Sequence, residues 1–157
     1  MKAASDMLAK AIATVLFIGY FPLIPGTFAS VAGVGLFFLA GPSNSPAYFL
    51  IIFLVILAGL FTCGRVEKIL NKKDPGCIVI DEIMGMLISL SFMPRDLRLI
   101  FIGFLFFRIL DTLKPFPIGR IQHLRGALGV MGDDFIAAIY TNLLLQVVLN
   151  LSSLRAL

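Results

Sequence analysis

Six of the nine acidic residues in this chain, Asp74, Asp81, Glu82, Asp111, Asp133 and Asp134, stand at or near the expected cytoplasmic ends of hydrophobic segments. In FFRILDTLKPFPIGR, Arg108, Asp111 and Lys114 follow at i, i+3 and i+6, a spacing that sets neighbours along one side of a helix. In CIVIDEIMG, Asp81 and Glu82 interrupt an apolar run, and ionisable groups at such depth are costly enough to default to function. In GALGVMGDDFIAAI, three glycines form a flexible approach to Asp133 and Asp134, which are expected to open the last helix, where its dipole favours acids. Adjacent helical residues point about 100° apart, so one of this pair is expected to face the interior. Carboxylates gathered at one membrane edge repel one another at low dielectric, and Arg108 with Lys114 are too few to neutralise them. A divalent cation would do so. All-oxygen ligands without a His or Cys set favour Mg2+ or Mn2+ over Zn2+ or Cu2+. Such a cation beside Arg and Lys makes a site for a phosphoryl group.

Each motif also has a plainer reading. Asp74 before Pro75 fits a helix N-cap, Asp81 and Glu82 a structural ion pair with Arg108, and Arg108 with Lys114 two snorkelling side chains. PLIPGTFAS, Pro22 to Ser30, combines Pro-Gly turn chemistry with hydroxyls where a helix should begin; Thr27 and Ser30 there suit either an N-cap or a phosphate oxygen. Other phosphatase chemistries lack their residues. Six positions after Cys63 and Cys77 stand Ile69 and Ile83 rather than Arg, His123 is the only histidine, the acid pairs are adjacent instead of DxD, and no GxxxxGK[ST] loop occurs. His123 reads as a surface residue and the two cysteines as reduced packing residues.

The elements that must position these groups are membrane helices. The chain has 157 residues, 59% hydrophobic and 14% charged, where soluble domains hold about 45–50% apolar residues. Apolar runs cover Phe28–Ala40, Ala47–Cys63, Cys77–Met93, Leu99–Leu110 and Phe135–Leu151. The expected fold is all-α and polytopic: one domain over residues 1–157, four to five membrane-embedded helices, and an N-terminal helix near Ala11–Phe21 lying at the interface. Asp74 and Pro75 are expected to start a helix that carries Asp81 almost two turns deeper. Lys2, Lys10, Arg65, Lys68, Lys72, Lys73, Lys114, Arg120 and Arg125 would lie inside and only Arg95, Arg98 and Arg155 outside, so the positive-inside rule sets the acids on the cytoplasmic side. Basic residues that flank spans instead of forming one patch argue against nucleic-acid binding. Oligomeric state is not readable.

PLIPGTFAS, DPGCIVIDEIMGM, FFRILDTLKPFPI and LGVMGDD resemble, in order and spacing, the four signature blocks of the phosphatidylglycerophosphatase A family, from Gly19 to about Tyr140. The resemblance implies an all-helical, Mg2+-dependent enzyme of the bacterial inner membrane. It would hydrolyse phosphatidylglycerol phosphate, a phospholipid in the bilayer, to phosphatidylglycerol and phosphate at a site facing the cytoplasm. By position it implies Asp81, Glu82, Asp133 and Asp134 as metal ligands, with Asp74 and Asp111 as further ligands or as the base that orients water. Arg108 and Lys114 would stabilise phosphoryl charge, and Thr27 and Ser30 would join them in holding phosphate. The nucleophile stays open between water at the metal and an aspartate. Ala29, Ala127, Gly132 and Ala138 depart from the family's usual residues, and the loop around Gln122 lacks an acid found in some relatives; no departure removes an acid or base of a block. A small ion-coupled transporter or cation channel is the rival reading, with the acids as mid-membrane ion ligands.

Overall fold

The five apolar runs give α2, α3, α4, α5 and α7 of the seven α-helices in the computed structural model, which describes residues 2–154: α1 Lys2–Ala13, α2 Pro25–Leu39, α3 Pro46–Leu70, α4 Ile80–Ser89, α5 Leu97–Leu113, α6 Ile118–Ile121 and α7 Ala127–Leu154. Among the described residues there is no strand. Local chemistry sets the ends. Pro25 and Pro46 open α2 and α3 at the first turn, where a missing N–H costs nothing. Ser45 caps α3 by accepting from Tyr48 N at 3.2 Å, and Asp96 caps α5 by accepting from Arg98 N and Leu99 N. Lys114 ends α5 in the left-handed region, ahead of Pro115 and Pro117.

The bundle is built around α4. Nine of its ten residues are buried, and at 1.5 Å per residue it is only about 15 Å long. One face packs Ile83, Met86 and Leu87 among Phe37 of α2, Tyr48 of α3, Phe107 of α5 and Leu145 of α7. Another sets Ile80 and Met84 against Cys63, Val66, Val130 and Met131. Gly85 permits the closest approach, since a Cβ there would lie 2.3 Å from Phe107 Cζ. Outside α4, Pro46–Leu70 and Ala127–Leu151 are long and apolar enough to cross a membrane. Both expose apolar side chains such as Phe53, Leu54, Phe61, Leu143 and Val147. That much outward apolar surface suits lipid. The two long helices pack directly on α4, and the shorter α2 and α5, of 15 and 17 residues, complete the bundle, α2 against α4 and α5 against α7 and α4.

Four local expectations change. No helix starts at Asp74: its φ is 45°, unlike the extended backbone of an N-cap, and Pro75 to Val79 form a turn closed by Ile78 N–H to Pro75 O and Val79 N–H to Ala13 O. Asp81 and Glu82 therefore occupy the first turn of α4. Asp133 and Asp134 do not open α7, which begins at Ala127 and buries both; Gly129 packs on the Leu124 carbonyl instead of loosening the approach. Lys114 leaves the helical series it was assigned to, although its side chain turns back to the same cavity. The N-terminal helix, α1, starts at Lys2 and ends at Ala13, early in the expected Ala11–Phe21 stretch, because Val15, Leu16 and Phe17 take left-handed turns. Arg155 lies outside the described residues.

Because Phe107 is fully buried and has nowhere to swing, Gly85→Ala is expected to destabilise the protein by about 1–3 kcal/mol through overpacking. Thermal unfolding in detergent measures this; an unchanged midpoint would show that the ring has room to move.

Candidate active site

Where α2 and α4 begin, α5 ends and α7 completes its second turn, a cavity of about 260 Å³ opens. All six acids, Asp74, Asp81, Glu82, Asp111, Asp133 and Asp134, line it, together with Arg108, Lys114 and Gly26.

Two cations organise the acids. Arg108 Nη1 donates to Glu82 Oε2 and, at 3.1 Å, to Asp111 Oδ2. Lys114 Nζ donates to Asp133 Oδ2 at 2.6 Å. Burial alone would lower the Lys114 ammonium, but the hydrogen bond and charge of Asp133, with Asp111 and Asp134 behind it, outweigh that and raise it. It therefore stays charged at neutral pH. Glu82 Oε2 also lies 2.8 Å from Ser30 Oγ, whose single proton is shared between this carboxylate and the Gly26 carbonyl. Asp81 Oδ1 accepts from Glu82 N at 3.0 Å, and among the described residues Asp81 has no cationic partner.

The phosphate-binding assignments separate. Ser30 is fully buried and, like Thr27, stands outside the cavity lining, so it supports Glu82 rather than facing a ligand. In that block Gly26 does line the cavity: a Cβ there would lie 2.1 Å from Glu82 Oε1 and 3.3 Å from Arg108 Nη1. The plainer reading of Glu82 as an ion-pair partner of Arg108 describes its contacts. Asp133 and Asp134 both turn inward, against the expectation of one, because the cavity flanks α7 broadly enough to take adjacent positions.

Carboxylate oxygens of Asp111, Asp133 and Asp134 fall within 4.8 Å of one another. Asp133 Oδ1 is buried without a hydrogen-bond partner, and six acids face two cations in one cavity. An orphaned oxygen in a cluster of hard donors fits a divalent cation. Asp111, which the resemblance implied only as a further ligand or base, thus belongs to this cluster with Asp133 and Asp134, while Asp81 and Glu82 line the same cavity outside it.

Sequence reasoning missed two residues that hold Asp74. Glu67 Oε1 accepts from Asp74 N at 2.8 Å, and Gln122 Nε2 donates to Asp74 Oδ2 at 3.3 Å. The turn at Asn71 and Asp74 that folds α3 back onto this loop makes the first contact, and no local pattern announces it. Gly26 was visible only as part of a turn.

Two helices of membrane-spanning length and an acid-rich polar cavity at one end of the bundle suit a membrane-associated protein with a buried charged site. The chain belongs to the phosphatidylglycerophosphatase A family, which matches it over residues 11–149. It is 36% identical to phosphatidylglycerophosphatase A of Escherichia coli over 77% of this chain and 72% of that protein, and 37% identical to the Haemophilus influenzae protein of the same name over 74% and 73%. A Bacteroides thetaiotaomicron protein carrying the provisional name phosphatidylinositol-3-phosphatase is 30% identical over 82% and 86%. No solved structure gives a significant match. The family read from the four sequence blocks is borne out.

With the Glu82 and Arg108 side chains only 11% and 24% exposed, Arg108→Ala leaves a carboxylate buried without its partner and is expected to cost about 3–5 kcal/mol. Adding Glu82→Gln should recover most of the loss. Denaturation of the single and double variants reads this coupling, and equal stability of Arg108→Ala and the parent would deny it.

Proposed function

We propose that this protein is a Mg2+-dependent lipid phosphatase that hydrolyses phosphatidylglycerol phosphate to phosphatidylglycerol and inorganic phosphate. The observation that carries the reading is the single cavity in which Arg108 and Lys114 stand among six carboxylates, in a chain whose Escherichia coli and Haemophilus influenzae relatives bear that enzyme's name. The Bacteroides relative's name also concerns removal of phosphate from a lipid head group. Asp111, Asp133 and Asp134 would hold the cation, with Asp81 close by. When bound, Mg2+ or Mn2+ offsets carboxylate repulsion and draws charge from the phosphoryl oxygens.

The protein's own groups do the rest. Arg108 and Lys114 turn from their carboxylates toward the phosphoryl oxygens and stabilise the charge spread over them in the transition state. Asp81, which has no cationic partner among the described residues, takes the proton of the attacking water as the phosphorus–oxygen bond to glycerol breaks, and the glycerol oxygen leaves as a hydroxyl, taking a proton from water at the cavity mouth. Asp74, held by Glu67 and Gln122, lines the cavity beside it.

The site belongs on the cytoplasmic side of the bacterial inner membrane: Lys68, Lys72, Lys73 and Arg125 gather beside one another, and Lys114 and Arg120 lie at the same end of the bundle, as the positive-inside rule requires. In this reading α2, α4 and α5 are embedded alongside the two long helices, α4 penetrating part of the bilayer, and α1 lies at the interface. A transporter or channel finds less support, because the acids gather at one end of the bundle instead of its middle.

Purified protein given phosphatidylglycerol phosphate should release phosphate, lose the activity to a chelator and regain it with Mg2+ or Mn2+. Asp81→Asn is expected to lower kcat by about 10²–10⁴. Full activity in that variant would remove Asp81 as the base, and release indifferent to chelation would overturn the cation.

A further inference from the structure

We propose that the cleft between α2 and α5 seats one acyl chain of the phosphorylated lipid, so that tail and phosphate are bound by the same pair of helices; this rests on the lipid-phosphatase reading above. α2 begins and α5 ends at the polar cavity, so the two run antiparallel away from it. They meet at the cavity, where a Cβ on Gly26 would lie 3.3 Å from Arg108 Nη1. Further along they part around a second cavity of about 390 Å³, lined only by Val31, Val34, Leu97, Ile100, Phe101 and Phe104.

The helical register makes the two cavities one path. Phe104, Phe101 and Leu97 precede Arg108 by four, seven and eleven residues, which puts all three on its face of α5, about 6, 10 and 16 Å away along the axis. On α2, Val31 and Val34 stand three residues apart and form the opposite wall of the cleft. The lining contains no polar side chain, and the cleft opens sideways: Val31, Phe101 and Leu97 are 56%, 62% and 73% exposed. Open apolar walls that lead to a guanidinium fit a ligand with a long hydrocarbon tail and an anionic head. The lipid phosphomonoester is such a ligand, and the continuity with Arg108 selects it over a second copy of this chain, which would cover the groove without reaching the cavity.

The experiment has two arms. First, Val34→Trp narrows the groove, and kcat/KM is compared for dioleoyl and dihexanoyl phosphatidylglycerol phosphate. The ratio of the long-chain to the short-chain value is expected to fall tenfold or more relative to the parent; a ratio within twofold of the parent overturns the proposal. Second, unsubstituted protein is irradiated with phosphatidylglycerol carrying a diazirine on its acyl chain, and the adducts are mapped. Adducts on Val31, Phe101 and Phe104 are expected; adducts confined to α3 and α7, or none, overturn it even if Val34→Trp fails to fold. A parent protein that releases no phosphate from either substrate sinks the enzymatic reading, whereas the adduct map still decides the groove.

Discussion

The ion pair between Arg108 and Glu82 is the constraint from which the rest of the bundle follows. A carboxylate enclosed this far costs several kcal/mol unless a cation and further donors meet it, and here they come from two elements, Arg108 from α5 and Ser30 from α2, to meet Glu82 in the first turn of α4. Gly26 leaves the space in which they converge. For α5 to deliver Arg108 at that level, Phe107 must pass α4 closely, which Gly85 allows. The starting point of α4 is set by the same demand. With both acids in its first turn, they receive the positive end of the helix dipole, which a deeper position in a longer helix would not supply.

That pair closes only part of the electrostatic ledger. Lys114 answers Asp133 through one oxygen and leaves the other buried alone, while Asp81 and Asp134 have no ion-pair partner among the described residues. A phosphomonoester brings further negative charge into a cavity already rich in it. Arg108 and Lys114 cannot both neutralise resident carboxylates and hold an incoming phosphoryl group at full strength. The proposed divalent cation resolves that conflict: with Asp111, Asp133 and Asp134 answered by it, Lys114 in particular becomes available to substrate. On that proposal the excess carboxylate is what gives the cavity its affinity for a hard cation.

Much of this was legible in the sequence because it depended on which residues are rare. In an apolar chain with nine acids, six of them in short blocks already name the site, and the structure gathers those six around one cavity. The all-helical fold was equally plain from the lengths of the apolar runs. What stayed hidden was set by backbone turns and by tertiary approach. Asp74–Pro75 carries a strong local signal for a helix start, but the loop must reach Ala13 O through Val79 N–H, and the left-handed turn at Asp74 defers the helix to Ile80. Ser30 looked like a ligand for phosphate because a hydroxyl near a helix start is ambiguous until its acceptor is known. Glu67 reaches Asp74 across a reversal of the chain that no periodicity encodes.

The shortness of α4 also bears on how a lipid could meet the site. A full-length central helix would carry its packing surface along the whole of α2 and α5 and hold them together. A ten-residue one, with its acids at the polar end, draws them close at Gly26 and Arg108 and leaves the outer faces of Val31 and Phe101 open sideways. The two features have one origin: the fold spends its tightest packing on the buried charges, and the neighbouring wall stays loose. A lipid phosphate then enters laterally with its tail always in apolar surroundings, so that no cost of extracting the tail into water is added to the desolvation of the head group at Arg108. On this view head-group chemistry is decided by the carboxylate cavity and tail preference by α2 and α5, and the two can vary separately among chains that share the same acidic blocks.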